Sequence, residues 1–312
     1  MTLRLLNFIT EQEPQHVGAW TEEGIVDLTT AARRRDPALA GRFQSVVEVL
    51  SAPELVQWAR DLVEAGVVQP LDREQVKLLA PVPVPGKLFA LAGNYVAHIQ
   101  EGHEGSLAAS MNREWRGGPR VFLMPSADTV IADREPIIIP NTATFVDYEA
   151  EMAVIIGKAG RHIPEEKALE HVGGLTALND VSERKLSLWD RGEFAEAYKW
   201  FDWLNGKWCD TFAPMGPCAV PLDEVPDLNN LALSLEVNGE RLQEVNTGEM
   251  IFKVPEIVAY ISNLCTLRPG DVIAMGTPAG VGMARERKLQ AGDVVAVKLE
   301  LVGTLTNPVQ AE

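Results

Sequence analysis

Asp147 to Ile156 reads D-Y-E-A-E-M-A-V-I-I: two glutamates spaced by one residue open a run of apolar and β-branched residues. Such a run, too short for a typical helix, reads as a buried strand. Strand side chains alternate between faces, so Glu149 and Glu151 point the same way and Asp147 shares their face. Carboxylates placed together near a core repel unless one takes up a proton or a cation lies between them. A hard divalent metal answers that requirement. The competing reading, an edge strand with its acids in water, has to be weighed against the rest of the chain.

The 312 residues suffice for one large domain and a smaller one. Short alternating segments from Arg4 to Thr29, with E-E-G as a hairpin turn, predict strands. Helical spacing follows over Phe43 to Leu50 and Pro53 to Ala65, the second with Ser51 as its expected cap. A small N-terminal domain, residues 1–80, is expected to end at A-P-V-P-V-P-G-K, a stiff segment unable to continue a helix or pair as a central strand. Residues 81–312 form the expected catalytic domain. Strands are predicted near Leu88–Ala92, Arg120–Met124, Ile137–Ile139, Glu149–Ile156, Gly174–Asn179, Leu231–Val237, Asp271–Met275 and Asp293–Leu301, with helices near Pro164–His171 and Pro255–Leu264. The polar stretch from Val96 to Pro119 reads as a lid. So many strands with so few helices predict an α+β, mainly β fold rather than a doubly wound parallel sheet.

A formal charge of −16 argues against binding a phosphate backbone, so nucleic acid is not an expected partner. No run of eighteen apolar residues occurs, and neither a membrane span nor a signal peptide is expected. Three widely spaced cysteines suit a reducing, cytoplasmic setting without disulfides.

Six blocks, in order, resemble the fumarylacetoacetate hydrolase family over roughly Leu88 to Val309: G-N-Y-V-A-H-I-Q-E from Gly93, D-Y-E-A-E-M-A-V-I-I-G-K from Asp147, L-N-D-V-S from Leu178, G-K-W-C-D-T-F-A-P-M-G-P from Gly206, V-N-G-E-R-L-Q-E-V-N-T-G-E-M-I-F from Val237 and L-R-P-G-D-V-I-A-M-G-T-P-A-G-V-G from Leu267. The resemblance implies a mixed β-sandwich roll, a homodimer, and Mg²⁺ or Mn²⁺ held by Glu149, Glu151 and Asp180. Three carboxylates with positions open to water and substrate suit such a hard cation. It implies a 2-oxo acid substrate, with His98 and Glu101 as an H-x-x-E dyad activating water and Lys207 stabilising negative charge. Arg184 is expected to bind substrate, and the Gly276–Thr277 turn to hold its carboxylate. The first reading is hydrolysis of a C–C bond in an acylpyruvate-like 2,4-dioxo acid. The alternative is an isomerase, tautomerase or decarboxylase of a 2-oxo or 2-hydroxydienoate acid on the same metal platform.

Gln243, Asn246 and Thr247 belong to a family block without an evident chemical step. The chain also departs from the family pattern. Ser182 is followed by E-R-K-L-S, the Leu186–Asn205 segment is longer and more charged, and Met124 stands where a lysine is common. These changes predict an altered pocket wall and a less polar or differently shaped substrate.

Overall fold

In the computed structural model, residues 2–10, 15–39, 41–101, 117–190 and 192–312 are described. A large mixed sheet runs edge to edge through the strands Gly24–Asp27, His16–Thr21, Leu5–Ile9, Ala213–Pro221, Val172–Asn179, Ala150–Ile156, Val272–Ala274, Leu88–Leu91 and Val121–Met124. A five-stranded sheet packs against it in the order Glu240–Asn246, Ala232–Val237, Val294–Leu299, Gly303–Ala311 and Ile137–Ile139. The fold is α+β and mainly β.

Ala150–Ile156 lies inside the large sheet, paired on both sides and buried at every position. The edge-strand reading is thereby excluded. Period two divides its side chains. Met152, Val154 and Ile156 join the core shared with the second sheet, including Leu233, Leu235 and Leu299. Ala153 and Ile155 join the core under the N-terminal helices, with Leu28, Val46 and Leu55. Glu149 and Glu151 continue the second set toward the strand's start.

The expected boundary near residue 80 is bridged by strand pairing. Leu5 pairs with Ala219, joining the N-terminal hairpin to the large sheet, and Asn7 pairs with Leu79. Asn7 also donates to the carbonyls of Ala80 and Pro81 and accepts from Val46 N–H, tying the proline-rich segment to the N-terminal strands. One helical expectation needs correcting. Ser51 does not cap the Pro53–Ala65 helix, whose cap position is Ala52 with proline in the first turn. Ser51 instead closes the short Val46–Leu50 helix, its hydroxyl donating to Val47 O, while Ser45 caps that helix's start. The helix expected near Pro164–His171 is a 3₁₀ segment over Glu165–His171.

Candidate active site

Antiparallel register assembles the site. Ala150 pairs with Asn179, so the next residues outward, Glu149 and Asp180, face each other where the two strands end, and Asp180 N–H donates to Glu149 O at 2.9 Å. On the other side Ala153 pairs with Ala274, which brings Gly276 beside Glu151. Gly276 N–H donates to Glu151 Oε2 at 2.7 Å. Gly276 has φ +92°, and a Cβ there would lie 2.8 Å from Asn94 Cβ, so both conformation and crowding require glycine. Leu88–Leu91 runs parallel to Val272–Ala274 and delivers Gly93, Asn94 and the Val96–Gln100 helix to the same end.

Glu149, Glu151 and Asp180 are buried, and each offers a carboxylate oxygen within 4.8 Å of the others. Lys207, also buried, donates to Glu149 Oε2 and Asp180 Oδ2, both at 2.7 Å. Arg184 donates to the remaining oxygen of Glu149 and, through Nε, to Asp147 Oδ2 at 2.9 Å. Among the described residues, Glu151 Oε1 and Asp180 Oδ1 have no hydrogen-bond partner. Buried acceptors are seldom left so. Two orphaned carboxylate oxygens beside Glu149 form an all-oxygen donor set that fits a hard divalent cation.

The electrostatics follow from who faces whom. Burial pushes Glu149 toward its neutral form, but Arg184, Lys207 and His98 outweigh it and hold the carboxyl at about 2. Asp180 is pushed up to about 6 by burial and by Glu149, against the pull of Lys207. Glu151 lies well above the usual carboxylate range because burial adds to the charges of Asp180 and Glu149. Burial works against the Lys207 ammonium, yet Asp180 and Glu149 more than restore it.

A cavity of about 730 Å³ opens onto this cluster, lined by Glu149, Arg184, Lys207, His98, Glu101 and Thr277 among others. His98 Nδ1 lies 2.6 Å from Glu101 Oε1, and Glu101 Oε2 accepts from Gly280 N–H at 2.7 Å. The expected dyad is therefore formed, with its carboxylate fixed to the glycine turn. Residues 102–116 of the expected lid, including His103 and Glu104, lie outside the described residues.

Three of these residues have protein partners that the sequence did not reveal. Asp147 shares the strand-derived acidic sequence but is fully engaged elsewhere, accepting from Tyr148, Gly282 and Met283 N–H as well as from Arg184. Arg184, expected to hold substrate, is occupied with Asp147 and Glu149 and so positions a carboxylate while its side chain reaches the cavity wall. Gly276 N–H is spent on Glu151 rather than left for a substrate carboxylate.

Gln243 acquires a role that sequence did not supply. Its Oε1 accepts from Ala150 N–H, while its Nε2 donates to Thr277 Oγ1 at 3.0 Å and to Pro278 O at 2.8 Å. It links the glutamate strand to the Thr277 turn across the two sheets. Thr247 and Asn246 order their own loop, Thr247 accepting from Leu231 N–H and Asn246 from Gly248 N–H. Asn179 and Asn94 escaped sequence reading. Asn179 Oδ1 accepts from Glu149 N–H, and Asn94 ties Phe252 to Met275 through three hydrogen bonds. The paired backbone ends they serve are far apart in sequence, and only the N-D and G-N dipeptides hinted at them.

The fold and this constellation define a fumarylacetoacetate hydrolase type of protein, and the family model described as fumarylacetoacetate (FAA) hydrolase C-terminal matches residues 87–310. The chain belongs to that family. It is 35% identical over 314 residues to a protein named oxaloacetate tautomerase fahd2, mitochondrial, from Xenopus laevis, covering 99% of this chain and 91% of the relative. Maleylpyruvate hydrolase from Sphingobium sp. SYK-6 has a structure that superposes with a TM-score of 0.76 at 28% identity, covering 99% and 100% of the two chains. A second structure of that hydrolase, in complex with manganese(II) and pyruvate, gives a TM-score of 0.74 at 26% identity and covers 99% of each chain.

Proposed function

We propose that the chain is a divalent-metal-dependent enzyme interconverting the enol and keto forms of a 2-oxo acid, the tautomerase alternative rather than C–C hydrolysis. The observation that carries this reading is that the His98–Glu101 pair and Glu149 line one cavity, with the orphaned oxygens of Glu151 and Asp180 clustered beside Glu149. The similarity to oxaloacetate tautomerase across 99% of the chain supports this choice among the family's reactions.

Glu149, Glu151 and Asp180 would hold the cation, Mg²⁺ or Mn²⁺, which when bound supplies Lewis acidity to the carboxylate and carbonyl oxygens of a 2-oxo acid. The remaining work belongs to the chain. Glu101 accepts from His98 Nδ1–H, which leaves Nε2 as the nitrogen that exchanges a proton. His98 takes a proton from the carbon next to the carbonyl as the electron pair shifts to oxygen, then returns a proton to that oxygen. The reverse order converts enol to keto. Lys207 spends two donors on Glu149 and Asp180 and keeps a third N–H for the charge that develops on oxygen. A homodimer in the cytoplasm completes the proposal, and the unpaired Cys209, Cys218 and Cys265 suit a reducing compartment.

The test is to dissolve enol-oxaloacetate into buffer with the Mn²⁺-loaded protein and follow enol absorbance, with proton NMR of the products. Enol decay above the blank, lost in chelator and without pyruvate formation, is expected. His98→Ala should slow it by about 10²–10⁴-fold. Cleavage of an acylpyruvate to pyruvate and a free acid, with no effect on enol decay, would return the reading to hydrolysis.

A further inference from the structure

The Ala195–Asn205 helix contains no buried residue, an unusual state for a helix of eleven residues, since packing of an apolar face normally holds such helices in place. Its aromatic side chains are nevertheless abundant. Trp200 is 55% exposed yet stacks on Trp203, ring centroids 5.0 Å apart at 23°. Trp203 meets buried Phe122 edge-on at 5.0 Å and 72°. The Lys207 ammonium lies 5.6 Å from the ring centroids of both Phe122 and Trp203. The three rings thus form a series from solvent to the ammonium that bridges Glu149 and Asp180, and all three line the cavity.

We infer that this aromatic series is the subsite for the distal end of the substrate, and that the enzyme takes 2-oxo acids bearing a planar, apolar tail. The inference deepens the proposed function and rests on its assignment of a 2-oxo acid to the carboxylate cluster. Three observations carry it. A cavity of about 730 Å³ is sized for a ligand well beyond a four-carbon diacid, since sites of about 300–1,000 Å³ house drug-sized molecules. The cavity is also lined by the apolar Leu91, Val281 and Met283. The cations at this end have other contacts: Lys199 pairs with Glu196 at 2.7 Å, and the Arg120 guanidinium lies against Gly93. An aryl group at this end would complete a stack on an open tryptophan face.

The decisive experiment is isothermal titration calorimetry of the Mn²⁺-loaded protein with two matched monoketo acids, 2-oxo-4-phenylbutanoate and 2-oxobutanoate. In the wild type the phenyl compound is expected to bind more tightly. Trp200→Ala should cut the ratio of the two affinities by about tenfold, and Trp200→Phe should keep most of it. If both acids bind and the ratio is unmoved by Trp200→Ala, or both affinities fall together, the aromatic subsite is wrong while the 2-oxo acid reading stands. If neither binds the wild type, both fall.

Discussion

The carboxylate cluster and the helix that walls the cavity are built on opposite terms. Glu149, Glu151 and Asp180 sit where central strands end, and all are buried under backbone and side-chain partners drawn from four separate segments. The Ala195–Asn205 helix is a surface element that reaches the interior through Trp203 and its contact with Phe122. Charge chemistry needs a site whose atoms are held in place by neighbouring groups, because reorganising dipoles during reaction weakens electrostatic stabilisation. Selection of a substrate tail needs only a surface of suitable shape. On the proposed reading, charge chemistry is placed at the ends of central strands and selection of the substrate tail on a surface helix.

The sharpest way to break this contrast is to remove the bridging ammonium. Lys207→Met leaves Glu149 and Asp180 without their shared partner, and breaking a buried charge pair costs about 3–5 kcal/mol. Urea unfolding of the metal-free variant should show a loss of that size, and saturating Mn²⁺ should recover part of it. A loss under about 1 kcal/mol would place the cluster with ordinary solvent-exposed ion pairs.

A smaller effect concerns pH. Asp180 is raised in the folded protein from 3.8 to about 6, so its contribution to metal-free stability is present below 3.8 and is lost as pH rises through about 6. Glu149, held at about 2 instead of 4.5, acts in the opposite sense and loses its contribution as pH falls from 4.5 to about 2. A cation must displace the protons held by Asp180 and by the still more strongly raised Glu151, so Mn²⁺ affinity should weaken by at least about tenfold for each pH unit below about 6. Calorimetry from pH 7.5 down to about 5 measures the slope, and a flat profile would remove Asp180 from the ligand set.

The least effect is expected at the wall. Trp200→Ala should change unfolding free energy by less than about 1 kcal/mol, because an exposed side chain gives up one ring contact and little buried area. A larger loss in urea unfolding would make the helix part of the folded core and erase the division between the two regions.

Sequence reading reached the first region more fully than the second. Period two alone placed Glu149 and Glu151 on one face, and the family resemblance added Asp180, which the fold sets beside them, and Lys207 and the His98–Glu101 pair, which line one cavity with Glu149. The limit of periodicity shows at Asp147. It has the same phase, but the chain leaves the strand before Glu149, and the Gly282 turn and Arg184 take its carboxylate. Gln243 was opaque because its role depends on contacts with Ala150 and Thr277, distant in sequence and on different elements. The aromatics around Trp200 were visible as composition, yet their stacking order needed the helix and its neighbour Phe122 in place.

Arg184 and Lys207 both bind Glu149, and just inside them Glu183 N–H donates to Gly206 O at 2.8 Å. A Cβ on Gly206 would lie 2.2 Å from Glu183 O, so glycine is needed for the two strands of chain to meet. The wall helix is thus a loop clasped at its base, with both ends fixed by the catalytic cluster itself. Closing a longer loop adds only about 0.6 kcal/mol for each doubling of its length. Lineages can therefore lengthen, shorten or replace this segment at little thermodynamic penalty, and an engineer can graft onto the same clasp. A variant with this segment shortened or exchanged is expected to keep the clasp and the sheet beneath it.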